Sequence, residues 1–207
     1  MKKLFLVSSF AEVANLFTSF EKDLEGKTVT FIPTASKVEK VVFYVKAGRT
    51  ALEKMGLTID ELDISTATTD EIATKIKKND FIYVTGGNTF YLLQELKRTG
   101  ADKLIKTEIN SGKLYIGESA GAIVASPNIE YAKAMDTIKK APDLENYEAL
   151  GLVDFYTVPH YTNPPFQKSA KKIIDTYSSI LNLTPISNNA AITINNNVVK
   201  IKHTETH

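Results

Sequence analysis

Apolar runs of three or four residues recur along this chain, and longer amphipathic stretches separate them. Leu4-Phe5-Leu6-Val7, Val29-Thr30-Phe31-Ile32, Phe81-Ile82-Tyr83-Val84, Leu114-Tyr115-Ile116 and Phe155-Tyr156-Thr157-Val158 are too short for helices and read as strands. Leu57 to Ile64 alternates imperfectly and reads as another. Residues 12–24, 38–55, 88–98 and 168–181 read as helices. Thr68-Thr69-Asp70-Glu71 opens one more as a capping box, a hydroxyl and a carboxylate three residues apart satisfying orphan amides reciprocally. Alternating strands and helices, with strands this continuously apolar, call for a parallel sheet buried on both faces. Right-handed crossovers then put helices on each side. The expected fold is α/β, a three-layer sandwich around a mostly parallel central sheet. Residues 185–202 read as a terminal hairpin turning at Asn195-Asn196-Asn197. With 207 residues and no linker or repeat, one domain over 1–207 is expected.

In such sheets ligands bind outside the carboxyl ends of the strands. Three expected strands run there into distinctive residues: Thr85-Gly86-Gly87-Asn88, Gly117-Glu118-Ser119-Ala120-Gly121 and Pro159-His160-Tyr161-Thr162-Asn163. Composition narrows the chemistry. There is no cysteine, which removes disulfides, thiolate metal sites and a cysteine nucleophile. Of three histidines, His203 and His207 lie in the last five residues, so His160 is the one candidate for imidazole chemistry in the body of the chain. A net charge of +1 argues against a broad nucleic-acid surface. No apolar run approaches the length of a membrane span. The basic, apolar start is too short for a signal peptide, because Glu12 interrupts it, and a cytoplasmic location is expected.

Gly117 to Gly121 fits the G-x-S-x-G nucleophile elbow, a tight strand-to-helix turn that lifts a serine hydroxyl above the sheet. The Ala120 amide, at the start of the following helix, points where an oxyanion would form. A serine hydroxyl needs a base, and His160 is that base on this reading. An acceptor must then fix the imidazole tautomer. Glu130, Asp136, Asp143, Glu145, Glu148 and Asp154 lie between Ser119 and His160, with Asp136 the first choice and Glu130 the second. The Gly87 amide is a second oxyanion donor, and Asn88 reads either as a helix N-cap or as a substrate contact. Tyr161 and Asn163 read either as part of a rigid site-lining loop or as a structural turn. No metal or cofactor is called for.

The Thr85–Phe90 run, the Gly-Glu-Ser-Ala-Gly-Ala run at 117–122 and the Pro159–Asn163 run occur in the order and rough spacing of the peptidase E family, the aspartyl dipeptidases and cyanophycinases. The chain resembles that family over most of its length. The resemblance implies a fold similar to the class I glutamine amidotransferase domain, flavodoxin-like in layout, with serine in place of its cysteine. It also implies Ser119 as nucleophile, His160 as base, Gly87 and Ala120 as oxyanion donors, and an acidic third member near Asp136. The family's acid lies closer behind its serine than Asp136 does here. Its aspartyl dipeptidases carry an arginine downstream of the histidine, and this chain has none there. Lys168, Lys171 and Lys172 are the available stand-ins, though lysine lacks the bidentate fork.

The leading expectation is a serine exopeptidase acting on dipeptides or short peptides, with N-terminal Asp preference as the finer option. A serine esterase and a non-catalytic binding protein on the same scaffold are the alternatives. The 19 Tyr and Phe residues leave a homodimer open without placing an interface.

Overall fold

A computed structural model describes residues 2–196 and 198–204. The strands are β1 (Lys3–Val7), β2 (Thr28–Ile32), β3 (Thr58–Glu61), β4 (Phe81–Val84), β5 (Leu114–Glu118), β6 (Tyr156–Val158), β7 (Leu183–Pro185), β8 (Ala190–Asn195) and β9 (Val198–His203). The helices are α1 (Ala14–Phe20), α2 (Phe43–Lys54), α3 (Thr69–Lys78), α4 (Thr89–Thr99), α5 (Ala101–Asn110), α6 (Ala120–Ile123) and α7 (Gln167–Tyr177). Seven strands form one sheet in the order β3-β2-β4-β5-β1-β8-β9. Neighbours from β3 to β1 pair parallel, and β8 and β9 add antiparallel.

Successive strand side chains point to opposite faces, so each parallel strand feeds two cores. Leu4 and Leu6 of β1 join Ile82, Val84 and Tyr115 in an aliphatic layer covered by α3 to α7. Phe5 and Val7 join Phe31, Tyr83 and Ile116 in an aromatic layer covered by α1 and α2. Phe5, Phe10, Phe17 and Tyr83 meet there edge to face, and Tyr83 stacks on Phe31 at 5.0 Å. Each fully buried side chain of this size contributes about 1.5–3 kcal/mol. These are the three layers that the strand–helix alternation predicts.

Half of the expected capping box forms: Thr68 accepts the Glu71 amide at 3.2 Å, while the Glu71 carboxylate turns to Lys75 at 3.0 Å. Several expected elements change. The helix expected over 12–24 is only a 3-10 turn, Ala11–Val13, followed by α1. Residues 34–38 form another 3-10 turn, and α2 starts at Phe43. α5 has no counterpart among the expected helices: the left-handed conformation of Gly100 (φ 74°) ends α4 and begins α5 at once. β6 does not join the main sheet. It pairs parallel with β7 as a separate two-stranded unit. The terminal hairpin exists as β8 and β9; Asn197 of its expected turn lies outside the described residues.

Candidate active site

Ser119 follows β5 directly and has φ 48°, ψ −104°, a conformation L residues avoid. The elbow holds it there by close packing. A Cβ on Gly117 would lie 2.6 Å from the Gly121 carbonyl oxygen, and one on Gly121 would lie 2.3 Å from that of Val84. Both positions therefore exclude larger residues. The Ser119 amide donates to Val7 at 2.9 Å, fixing the turn to the end of β1. The helix after the elbow, α6, is a single turn of four residues, so it offers little of the macrodipole expected of a longer helix.

Ser119 Oγ lies 3.0 Å from His160 Nε2. His160 sits two residues beyond β6, at φ 58°, and its amide donates to Ser8 Oγ at 2.9 Å. Ser8 in turn donates to the Ile186 carbonyl at 3.1 Å, which ties the small sheet to the end of β1. The imidazole stacks on Phe166 at 4.9 Å. Burial holds its pKa below the usual histidine value, while the hydrogen bond that the ring donates to Asn188 Oδ1 and the charge of Glu12 oppose that shift. That shift favours the neutral ring, the form that can accept a proton.

Neither expected acid reaches this imidazole. His160 Nδ1 lies 2.8 Å from Asn188 Oδ1. Asp136 is instead turned to the start of α4, its carboxylate accepting the Thr89 amide at 2.9 Å and the Thr89 hydroxyl at 2.5 Å. Burial raises the Asp136 pKa, the two Thr89 bonds lower it, and Glu39 adds to the rise. Glu130 is exposed and pairs with Lys133 at 2.8 Å. The physical reason is topological. β6 and β7 run parallel with Val158 opposite Pro185, so His160 and Asn188 emerge side by side from adjacent strand ends. The Asn188 amide donates to Asn163 Oδ1 at 2.9 Å, and Asn188 Nδ2 donates to Glu12 at 3.0 Å.

The other expected site residues divide. No protein acceptor among the described residues takes the Gly87 or the Ala120 amide. Gly87 has φ 135°, and a Cβ there would meet the Ala35 carbonyl at 2.2 Å, so the strand end must be glycine. Asn88 is not a free substrate contact. It is buried, its Oδ1 accepts the Tyr91 amide at 3.0 Å as the N-cap of α4, and its Nδ2 donates to Thr137 at 3.1 Å. Asn163 braces the Asn188 segment. Tyr161 is exposed on the rim. Of the lysines considered as stand-ins, Lys171 is paired with Asp175 at 2.8 Å on the exposed side of α7.

Behind the elbow, Glu118 is almost completely buried. It accepts the Phe10 amide at 2.9 Å, the Tyr83 hydroxyl at 2.9 Å and the Gly86 amide. Burial pushes its pKa up to about 7 against those three bonds. In the G-x-S-x-G pattern it occupies a variable position.

A strained serine at the carboxyl edge of a parallel sheet, its hydroxyl against a neutral imidazole, is the arrangement of a serine hydrolase. Comparison with known proteins narrows this class. Residues 4–202 match the model of peptidase family S51. An uncharacterized peptidase of Listeria innocua is 63% identical over 202 residues, covering 98% of this chain and 97% of that one. Peptidase E of Haemophilus influenzae is 33% identical over 148 residues, 72% of this chain and 62% of its own. A crystal structure of a Listeria monocytogenes protein named after peptidase E superposes with a TM-score of 0.96 at 61% identity, covering 99% of this chain and all of that one. The chain belongs to peptidase family S51, the peptidase E family, and is a serine-type peptidase.

Proposed function

We propose that this peptidase cleaves dipeptides and other short peptides through an acyl-enzyme formed on Ser119. The observation that carries this reading is the 3.0 Å contact between Ser119 Oγ and His160 Nε2, with the far side of the ring held by Asn188. Ser119 Oγ attacks the scissile carbonyl carbon as its proton passes to His160 Nε2. The Gly87 and Ala120 amides receive the oxyanion. The C–N bond breaks, and His160 hands the proton to the leaving amine. A water then gives a proton to His160 and attacks the ester, and the collapse restores the serine and releases the peptide acid. Asn188 Oδ1 keeps the proton on Nδ1, so that Nε2 offers its lone pair to the serine.

The substrate preference on this reading is for short peptides without a required N-terminal Asp. The chain's two arginines, Arg49 and Arg98, are committed to Glu61 and Glu95. A bidentate reader of an aspartyl side chain would have to come from one of them. We propose a cytoplasmic location as well, in keeping with a chain that has no cysteine. Among the described residues no helix is long and apolar enough to cross a membrane.

A fluorophosphonate probe tests the chemistry. Labelling that disappears in Ser119→Ala and falls at least a hundredfold in His160→Ala is expected. A folded wild-type protein that does not label would instead favour a binding protein on the same scaffold. A dipeptide library read by mass spectrometry tests the preference. Cleavage confined to Asp-X peptides would overturn it.

A further inference from the structure

An asparagine beside a catalytic histidine poses a problem that a carboxylate does not. A carboxylate only accepts, so the ring nitrogen facing it must carry the proton. A carboxamide accepts at one end and donates at the other. Turned over, Asn188 would present its NH2 to His160 Nδ1. The proton would then sit on Nε2, and Ser119 would face a donor instead of a base. Something must fix which way the amide points.

The structure holds a group suited to that task. Glu12 lies in the exposed 3-10 turn between β1 and α1, and its Oε1 accepts from Asn188 Nδ2 at 3.0 Å. A carboxylate offers no donor, so it takes only the NH2 end of the amide. The oxygen end is left for His160, at 2.8 Å. The backbone of Asn188 is held separately by Asn163, so the side-chain amide alone has to be oriented. Among the described residues Glu12 is also the charged group that acts on the imidazole. The remaining faces of the ring meet Ser119 and Phe166, which carry no charge.

We propose that Glu12 is a positioning residue that sets the direction of the Ser119–His160–Asn188 hydrogen-bond chain and thereby the tautomer of His160. The inference rests on the serine-peptidase reading for its consequence, but its direct readout does not depend on turnover. Ring-15N NMR of the histidines distinguishes Nδ1–H from Nε2–H, and His160→Ala identifies the signals of His160. The wild type shows the Nδ1–H form. Glu12→Gln can turn its own amide to accept or to donate, so its Nδ1–H fraction falls between those of the wild type and Glu12→Lys. Glu12→Lys presents a donor to Asn188, and the Nδ1–H form loses its dominance.

The kinetic expectation is a drop of about a hundredfold in kcat for Glu12→Lys with KM within twofold, by analogy with other wrong-tautomer variants, which lose up to ~10⁴. Glu12→Gln gives a kcat between those of the wild type and Glu12→Lys. If Glu12→Lys does not fold, Glu12→Ala supplies the same readout, because nothing then orients the amide. Unchanged Nδ1–H dominance in both Lys and Ala variants overturns the proposal. A tautomer change in a protein that cleaves no peptide would uphold the positioning role and sink the peptidase reading of its substrate. Wild-type peptide cleavage with an unmoved tautomer would do the reverse.

Discussion

Two polar networks meet at the nucleophile elbow, and they are built in opposite ways. Inward from Ser119, Glu118 sits in the aromatic layer and binds Phe10, Tyr83 and Gly86, three groups from three segments. Outward, His160, Asn188 and Glu12 form a chain that ends at an exposed carboxylate. The inner network puts an ionisable group where water cannot reach and surrounds it with donors. The outer one puts a neutral amide next to the imidazole and keeps the charge at the surface. A buried carboxylate is costly unless fully hydrogen-bonded. Glu118 meets that condition by fastening backbones that must not move. The outer chain has to accept and return a proton, so its members stay half exposed. Position relative to the sheet, more than residue type, separates holding from reacting.

The largest effect should come from breaking the outer chain. Asn188→Ala removes the acceptor on His160 Nδ1, and kcat/KM should fall by about 10³-fold, near the loss caused by a wrong imidazole tautomer. The thermal midpoint should move little, because Asn188 is only partly buried. Peptide kinetics and a melting curve on the same variant check both halves. Activity within tenfold of wild type would mean that the outer chain is scaffolding like the inner one.

Much of this comparison is invisible in the sequence, for definable reasons. The parallel strands are legible because Leu4–Val7, Phe81–Val84 and Leu114–Ile116 are buried on both faces and therefore apolar throughout. Ser119 is legible because the elbow glycines are forced by backbone approaches of less than 3 Å. His160 is legible by elimination. Asn188 is not, since an asparagine between Ser187 and Asn189 has no local mark and it is neither a carboxylate nor placed between Ser119 and His160. One signal was available: Leu183-Thr184-Pro185 is a short strand-like run. Pairing it with Tyr156–Val158 would have placed Asn188 beside His160. The role of Glu118 is likewise hidden, because a charged residue between a glycine and a serine reads as exposed until the aromatic layer closes over it.

The inner network can be tested by its pH dependence. The Glu118 pKa rises from 4.5 in the unfolded chain to about 7 in the folded protein. Between those values the folded state binds more protons than the unfolded state, so stability falls as pH rises through that window. The loss amounts to about 3 kcal/mol by pH 8. Glu118→Gln has no such titration. Its stability relative to wild type should therefore improve from pH 4.5 to pH 8 by about that amount, measured by urea unfolding at both ends. At low pH the variant should be the weaker, because the Gln NH2 has no lone pair to accept with, whereas the hydroxyl oxygen of the protonated carboxyl still accepts from Phe10, Tyr83 or Gly86. A constant difference across the range would show that Glu118 stays in one protonation state and that the inner network does not carry this charge.

Asp136 gives the smallest effect and the sharpest division between holding and reacting. It lies within the span from Ser119 to His160 where a triad acid would be sought, yet it spends both bonds on Thr89. Those bonds satisfy an orphan amide in the first turn of α4 and anchor the loop after α6 to it. Asp136→Ala should therefore cost about 1–2 kcal/mol of stability, as the loss of a helix-capping side chain does. It should leave kcat/KM within about threefold. His160 keeps Asn188 and Ser119 in that variant, so the acidic limb of the pH–rate profile should stay where the buried imidazole puts it, below the ordinary histidine value. A hundredfold fall in kcat at constant KM, in a variant of near-normal stability, would move Asp136 from the holding group to the reacting one. Asn188 could then no longer be the residue that completes the chain.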